Sequence, residues 1–553
     1  MSTEPLRLPR RVVVVGHGMV GARLADELAR RDADGALDVT VLGAEPYEPY
    51  NRVLLSDVVA GRTDVAAISL PAVDDGRALV RRGTAAVAVD RDARVVLADD
   101  GTLHPYDHLV LATGATARLP DVPGLGTDPG TLPAGVHALR TLDDAREIVA
   151  ATVNAPRAVV VGGGVLGVEV ALGLAGRGLP TTLVHGAGTP MDRQLDDEAG
   201  AVLRAALEAA GVAVRTGVRP REVLVVGGRA VGVRLAGAAG DPGETLGAGL
   251  VVLACGTAPQ TALARLAGLA VDRGVVVGPD LASVTDPRVF AVGDCAQPPE
   301  GSRGLVAEGW DQARRLADAL VALAARPRPA PPVVAGPREH LRLPGDGAGP
   351  SMAVRLGALL SSRAPGAAAG PAVDTRGTDV VKVKAGSLSV VAMGRCGSGR
   401  APVAGERVVR LGDPAAGRWV EAVVADGVLV GATCVGDARV AADLTAAYTR
   451  RTPVPADPAF LLLTPVAPVA AAASSPEHMP DDATVCRCNG VTKHDVASCV
   501  ADGATTTDEV VHATRATTGC GSCRDAVCGL VDWLAAARPD DADRDVDRVA
   551  GRR

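Results

Sequence analysis

Aromatic side chains are nearly absent. Phe, Tyr and Trp make up 2% of 553 residues, as two Phe, four Tyr and three Trp. That scarcity excludes cores packed on large rings, so the interior must be built from Ala, Val and Leu. There is no basic surplus either: the net charge of −7 excludes the electrostatic footprint of a nucleic-acid binder. Long apolar runs are missing as well. The best stretch, LLLTPVAPVAAAA at 461–473, is too short for a bilayer and holds two prolines, so no membrane segment is expected. The opening MSTEPLRLPRRVVVVG turns almost at once into a strand and leaves no room for a secretory leader, which makes a cytoplasmic location the expectation. Cysteine is also sparse, with ten in the chain. In a reducing compartment, paired cysteines point to metal or redox chemistry before structural disulfides.

What is present is organised in units. The length exceeds a single core and predicts three or four domains. Residues 11–30, RVVVVGHGMVGARLADELAR, read as strand, glycine turn and amphipathic helix, and 157–176, RAVVVGGGVLGVEVALGLAG, repeat that unit. A second strand follows each, LDVTVLGAE at 37–45 and PTTLVHG at 180–186, so two nucleotide-binding βαβ units and two doubly wound subdomains are predicted. A Pro/Gly-rich linker is expected at 326–350 and a small α+β domain of short Val-rich strands at 351–456. An Ala/Pro tether at 457–483 precedes a cysteine module at 484–535. The mixed-charge tail at 536–553 has no apolar period and reads as disordered.

In the first unit, Gly16, Gly18 and Gly21 form G-x-G-x-x-G, which lets backbone N–H groups approach a pyrophosphate at a helix N-terminus. Glu45, ending the next strand, is placed for a ribose hydroxyl. The second unit has Gly162, Gly164 and Gly167, with Glu169 following early in the helix, where the helix dipole would favour an acid. One such motif is weak evidence. It has company in YDHLVLATG at 106–114 and RVFAVGDCA at 288–296.

With these four segments in order, the chain resembles the two-dinucleotide-binding-domain flavoprotein reductases. The resemblance implies tandem Rossmann-like domains: FAD-binding at 9–125 and 253–325, NAD(P)-binding at 126–252. It assigns Gly16, Gly18, Gly21, Glu45, Thr113, Gly114, Gly293 and Asp294 to FAD, and Gly162, Gly164 and Gly167 to the nicotinamide cofactor. It also sets Glu169 near the nicotinamide. Two segments depart from the family pattern. His185 stands where an acid would read the ribose 2′-OH, which leaves NADH against NADPH undecided, and LACGTAPQ at 253–260 replaces the usual G-x-R-P-N.

EPYEPYNRVLLS at 45–56 carries no redox cysteine of the disulfide-reductase kind. It resembles the Y-N-R-x-x-L-S segment of ferredoxin-reductase-like and nitrite-reductase-like flavoproteins, which implies Arg52 near the flavin. LVHGAGTPMDRQLDDE at 183–198 and GLVAEGWDQA at 304–313 look like the NAD(P)H nitrite reductase large subunit and the electron-transfer subunits of assimilatory nitrate reductase. Cys255, Cys295, Cys396 and Cys434 are isolated and read as small core residues, and Cys499 and Cys528 as packing at helical positions.

The remaining cysteines form two pairs, Cys486-x-Cys488 and Cys520-x-x-Cys523. Four thiolates suit a metal; zinc prefers wider spacing than C-x-C, and a zinc knuckle or a disulfide staple stays as the alternative. The module resembles the bacterioferritin-associated ferredoxin-like domain, which implies a 2Fe–2S cluster held by Cys486, Cys488, Cys520 and Cys523. Together these resemblances imply transfer of electrons from NAD(P)H through FAD to the cluster. No further cysteine quartet and no molybdopterin-binding region is evident, so the expected partner is a separate molybdopterin nitrate reductase catalytic subunit. Another acceptor such as a nitrite reductase component or a ferredoxin-like carrier is the alternative. A homodimer built on the 351–456 domain is also admitted. A cluster-bearing iron or redox sensor is the reading from another class, and two nucleotide sites argue against it.

Overall fold

The computed structural model describes residues 9–71, 76–126, 129–237, 243–326, 379–385, 388–462, 476–486, 489–519, 521 and 523–536. The predicted linker from 327, the first part of the predicted 351–456 domain and the tail from 537 lie outside them, as do the predicted ligands Cys488 and Cys520. Helices are numbered α1 (Met19–Arg31), α2 (Leu55–Ala60), α3 (Leu142–Thr152), α4 (Val165–Gly176), α5 (Asp197–Ala209), α6 (Ala262–Leu266), α7 (Val306–Ala324), α8 (Ala438–Arg450), α9 (Lys493–Ala501), α10 (Thr507–Thr514) and α11 (Arg524–Ala536).

Runs of valine decide the two central sheets. In RRVVVV the last four side chains are all buried, a pattern that belongs to a parallel strand covered on both faces. Arg10–Val15 pairs in parallel with Leu37–Gly43 and His108–Leu111, and Ala78–Arg82 and Val289–Ala291 complete five strands. The strand Ala158–Val161 is buried in the same way. It centres a second parallel sheet ordered 212–215, 181–184, 158–161, 250–253, 136–138. Strand 289–291 returns to the first sheet after the second is built, so the first doubly wound domain is split in sequence. The two crossovers pair with each other as an antiparallel ribbon, Ala115–Ala117 against Thr257–Pro259.

Helix α4 (VLGVEVALGLAG) is apolar on nearly every side because it is covered on nearly every side. One face lies on its own sheet. Gly173 lets α2 of the first domain approach so closely that an added Cβ would sit 2.9 Å from the Ala60 Cβ and 3.1 Å from the Ala60 Cα. Arg177, just past the end of α4, donates to the C-terminal carbonyls of α2 at Val58 and Val59. Val383, Val390 and Val435 of a third domain join the same apolar core.

That third domain is a five-stranded antiparallel sheet, ordered 381–385, 388–394, 428–435, 418–425, 407–413, with α8 packed on one face. Trp419 Nε1 donates to Asp196 at 3.2 Å, and Ser398 Oγ donates to the Asp192 carbonyl at 3.0 Å, tying the sheet to the second nucleotide domain. Leu462 is 3% exposed in its core, so residues beyond 456 still pack on this domain. The cysteine module is a two-stranded ribbon, Thr484–Cys486 with Val491–Thr492, and α9 to α11 around a core of Val496, Val500, Val510, Val527 and Leu530. Among the described residues no helix is long and apolar enough to cross a membrane.

Gly173→Val should overpack the α2–α4 junction, where the opposing atoms include backbone that cannot swing away. The expected loss is about 1–3 kcal/mol, read as a lowered midpoint in thermal unfolding of the full chain.

Candidate cofactor and electron-transfer site

The two glycine turns are built on one plan. Gly16 has φ +113°, and a Cβ there would lie 2.2 Å from the Ala112 carbonyl oxygen; Gly162 has φ +112° and would meet the Ala254 oxygen at 2.3 Å. Cβ atoms at Gly21 and Gly167 would fall 1.8 Å from the carbonyl oxygens of Gly16 and Gly162. Gly18 and Gly164 are the N-caps of α1 and α4, and neither has a side chain to cap the helix. Around Gly164 there is nothing within 4 Å of the Cβ position. An uncapped helix N-terminus with open space before it is an anion site in waiting. The turns thus fit the pyrophosphates of two dinucleotides.

The symmetry also places the start of the segment 253–260. Ala254-Cys255-Gly256 occupies, in the second domain, the place of Ala112-Thr113-Gly114 in the first. Each alanine carbonyl faces the first glycine of its turn, and Gly114 and Gly256 both have positive φ. The register also relocates the ribose-reading position. Val15 pairs with Leu42 and Val161 with Val184, so Gly43 corresponds to His185 and Glu45 to Ala187. In the first domain the ring of His17 fills the space over Gly43. In the second the ring of His185 fills the space over Gly163, accepting from the Gly163 N–H at 3.1 Å and meeting Asp192 at 2.9 Å. The same ring is supplied from opposite strands, so His185 is part of the turn's packing.

Around the first turn, Glu45 is held by Arg52 and accepts from the Tyr50 hydroxyl at 2.6 Å. The Arg52 guanidinium stacks over the Tyr50 ring at 4.8 Å and reaches the Arg140 carbonyl at 3.3 Å. Burial raises the Tyr50 pKa, and hydrogen bonding to Glu45 reinforces it, so the hydroxyl stays a donor. Asp294 lies in the turn after strand 289–291, and its Oδ2 pairs with Arg140 Nη2 at 2.7 Å. Arg140 Nε also donates to the Ala115 carbonyl beside Gly114, at 2.8 Å. Gly293 has φ +73° and donates its N–H to Gln312 at 2.7 Å, which fixes the backbone that carries Asp294. Thr113 Oγ1 donates to the Gln260 carbonyl at 2.8 Å, across the crossover ribbon.

Glu169 is 3% exposed in the second turn of α4 and accepts from Ser56 Oγ at 2.5 Å. It bridges the two nucleotide domains, which a dipole-stabilising acid in the first turn would not do. Ser56 belongs to the segment that holds Asn51, Arg52 and Leu54.

The cysteine module sits on that same segment. Asn51 is 1% exposed; its Oδ1 caps Val53 N, and its Nδ2 donates to the carbonyls of Thr518, at 2.8 Å, and Gly519. Arg515 pairs with Asp26 of α1 at 2.5 Å, and Arg23 of α1 donates to Asn489 Oδ1 at 2.9 Å. Cys486 is buried, and a hydrogen bond with Cys523 holds its thiol well below the usual cysteine range. The N–H groups of Asn489 and Thr517 add to that effect, against the opposing effect of burial. Two close cysteines, one of them biased to thiolate, fit a thiolate-bound cluster. The other two predicted ligands lie outside the described residues.

Cys295 and Cys434 are buried and burial raises their pKa, Cys434 to about 12, so both are inert packing as expected. Cys255 and Cys396 are only partly covered, and burial raises both, Cys396 to about 11. Cys499 and Cys528 are partly covered too, Cys499 against the module's core. Sequence reasoning missed Tyr50, Asn51, Ser56, Arg140, Arg23 and Asn489, whose partners lie far along the chain. Tyr50, Asn51 and Ser56 are letters of the Y-N-R-x-x-L-S segment, and Arg140 had a nearby signal in the Thr141–Asp144 capping box that follows it.

Residues 10–321 match the family described as pyridine nucleotide-disulphide oxidoreductase, and residues 484–533 match the BFD-like 2Fe-2S binding domain. The chain is 28% identical over 522 residues to a Bacillus subtilis (strain 168) nitrite reductase (NAD(P)H), covering 94% of this chain and 57% of that protein. It is 27% identical over 531 residues to the assimilatory nitrate reductase electron transfer subunit of the same organism, covering 95% of this chain and 60% of that protein. It therefore spans about three-fifths of the length of these curated relatives. The crystal structure of the ferredoxin reductase for the CYP199A2 system from Rhodopseudomonas palustris superposes with a TM-score of 0.60 at 26% identity, covering 77% of this chain and 91% of that one. FAD, NAD(P)H and a 2Fe–2S cluster are accordingly its cofactors. The chain belongs to the pyridine nucleotide-disulphide oxidoreductase family and carries a BFD-like 2Fe–2S binding domain at 484–533.

Proposed function

We propose that the chain passes electrons from NAD(P)H through FAD to its 2Fe–2S cluster, and on to a separate molybdopterin nitrate reductase catalytic subunit. The observation that carries this reading is the seat of the cluster-binding loop. Thr518 and Gly519, next to Cys520, are held by Asn51, whose neighbour Arg52 lies at the mouth of the first glycine turn. A loop placed there brings a one-electron acceptor to the edge of the flavin site.

Residue roles follow. Gly16, Gly18 and Gly21 give the FAD pyrophosphate its backbone donors, and Gly162, Gly164 and Gly167 do the same for NAD(P)H. Glu45 binds the FAD ribose; a carboxylate has about four acceptor sites, so Arg52 and Tyr50 leave it capacity. Asp294, oriented by Arg140, meets the ribityl chain, and Thr113 and Gly114 line the crossover. Arg52 stands near the flavin ring and Glu169, fixed by Ser56, near the nicotinamide. Cys486, Cys488, Cys520 and Cys523 hold the cluster. When bound, FAD takes two electrons as a hydride and the cluster accepts them one at a time. The third domain, docked on the second nucleotide domain, is an interface element by this reading and admits a homodimer.

The nitrate reductase electron-transfer subunit named above favours nitrate reductase as the acceptor; the equally similar nitrite reductase makes a nitrite-reducing partner the second reading. Reduced chain mixed separately with each catalytic partner separates them: cluster reoxidation by nitrate reductase alone is the expected result.

In stopped-flow absorbance, NAD(P)H should bleach the flavin first and the cluster second. A cluster that never reduces, even with acceptor present, would end the electron-path reading. Cys520→Ser should remove the cluster's EPR signal while NAD(P)H still bleaches the flavin. Glu169→Gln should slow flavin bleaching by NAD(P)H about tenfold, or about 1.4 kcal/mol in the barrier, with FAD content unchanged. An unaltered rate would return Glu169 to a packing role.

A further inference from the structure

Asn489 touches both the cluster-binding loop and the first nucleotide domain. Its Oδ1 accepts from Arg23 Nη1 at 2.9 Å. Its Nδ2 faces three acceptors of the module: the Arg515 carbonyl at 2.5 Å, Thr518 Oγ1 at 3.2 Å and Cys486 Sγ at 3.7 Å. Chemistry fixes which way the amide points, since Arg23 can only donate and the Arg515 carbonyl can only accept. Arg23 is itself immobilised: it is 7% exposed, bonded to Glu27 at 2.5 Å, and 5.8 Å over the Trp310 ring. Arg515 pairs with Asp26 through its side chain while its carbonyl receives the Asn489 amide. Among the described residues, the contact that orients Asn489 from outside the module comes from Arg23 of α1, and it exists only while the module is seated there.

We propose that Asn489 couples docking of the cluster module on α1 to the redox state of the cluster. With the module seated, Arg23 holds the carboxamide so that its N–H dipole points at the Cys486 sulfur. N–H donors aimed at cluster sulfurs raise the reduction potential, because they stabilise the extra negative charge of the reduced form. In that step the cluster gains one electron, supplied by the reduced flavin in turnover or by dithionite in a titration; no bond breaks and no proton moves. Linkage makes the effect reciprocal, so reduction tightens docking by the same factor that docking favours reduction. The flavin then faces an easier acceptor, and once the module leaves α1 the downstream protein faces a stronger donor. The inference rests on the cluster assignment and not on which protein receives the electron.

The test is an EPR-monitored dithionite titration of the full-length, cluster-loaded chain, which does not use NAD(P)H and so stays separate from the electron-path test. Arg23→Met lies in another domain from the cluster, yet it should lower the midpoint, by about tenfold in electron affinity, or ~59 mV for one electron. Asn489→Leu should lower it at least as far, and the Arg23→Met/Asn489→Leu double variant no further than Asn489→Leu alone. Hydrogen exchange at 515–519 should be slower in the reduced than in the oxidised wild-type chain. An Arg23→Met midpoint equal to wild type overturns the proposal, and so does full additivity of the two substitutions. If Asn489→Leu fails to assemble a cluster, Arg23→Met and the exchange difference decide the matter alone.

Discussion

Two backbone carbonyls set the conditions for everything else in this chain. The oxygens of Ala112 and Ala254 directly follow strands 108–111 and 250–253, and each lies where a side chain at the first glycine of the adjacent turn would have to be, 2.2 and 2.3 Å from the Cβ positions of Gly16 and Gly162. Because that space is taken by backbone, only glycine brings the turn down onto the sheet. The turn's height decides where α1 and α4 begin, and so where their unpaired N–H groups point. From there the acids, the arginines and the crossover ribbon are placed by strand register. The interiors of both sheets are filled without rings: Val12–Val15 in the first and Val159–Val161 in the second are all buried.

The next constraint is the junction between the two nucleotide domains. Gly173 permits α2 and α4 to touch backbone to helix, Arg177 caps the end of α2, and Ser56 meets Glu169 within the same contact. Stability and site geometry therefore share one set of residues. Strand 381–385 of the third domain also packs against α4, with Val383 in the shared apolar core, so α4 is held by both the first and the third domain. A helix gripped in this way holds its N-terminus in a fixed position against the first domain.

Much of this was legible in the sequence because it is local and repeated. The two strand–glycine–helix units, and the strand that follows each, are written in valine runs and glycine spacing. Other features resisted for definable reasons. LACG at 253–256 differs from LATG at 111–114 by one letter, but that both follow equivalent strands and face the first glycine of their turns shows only in strand register. His185 looked like a displaced ribose reader because the exchange of His and Gly between repeats is visible only when both rings are seen filling one space. Tyr50, Asn51 and Ser56 were in plain view beside Arg52, but the partners that give them meaning lie at 142, 518 and 169. No window along the chain joins those positions.

The seat of the cluster module is polar, and that chemistry suits a carrier with two clients. Its principal links are Arg515–Asp26, Arg23–Asn489 and Asn51 on two carbonyls. A buried ion pair roughly breaks even against its desolvation, and hydrogen bonds traded with water give about 1 kcal/mol each, so such a surface specifies a pose without holding it tightly. It need not hold tightly. A module tethered to its own docking site experiences an effective concentration on the order of 1 mM, and at that concentration about −4 kcal/mol of interaction already gives half occupancy. An apolar seat of the same size would add several kcal/mol at about 25 cal/mol per Å² and leave the module closed over the flavin site. Charge and amide contacts let geometry be specific while residence stays short, which is the balance the proposed electron path requires of an element that would meet the flavin and then another protein.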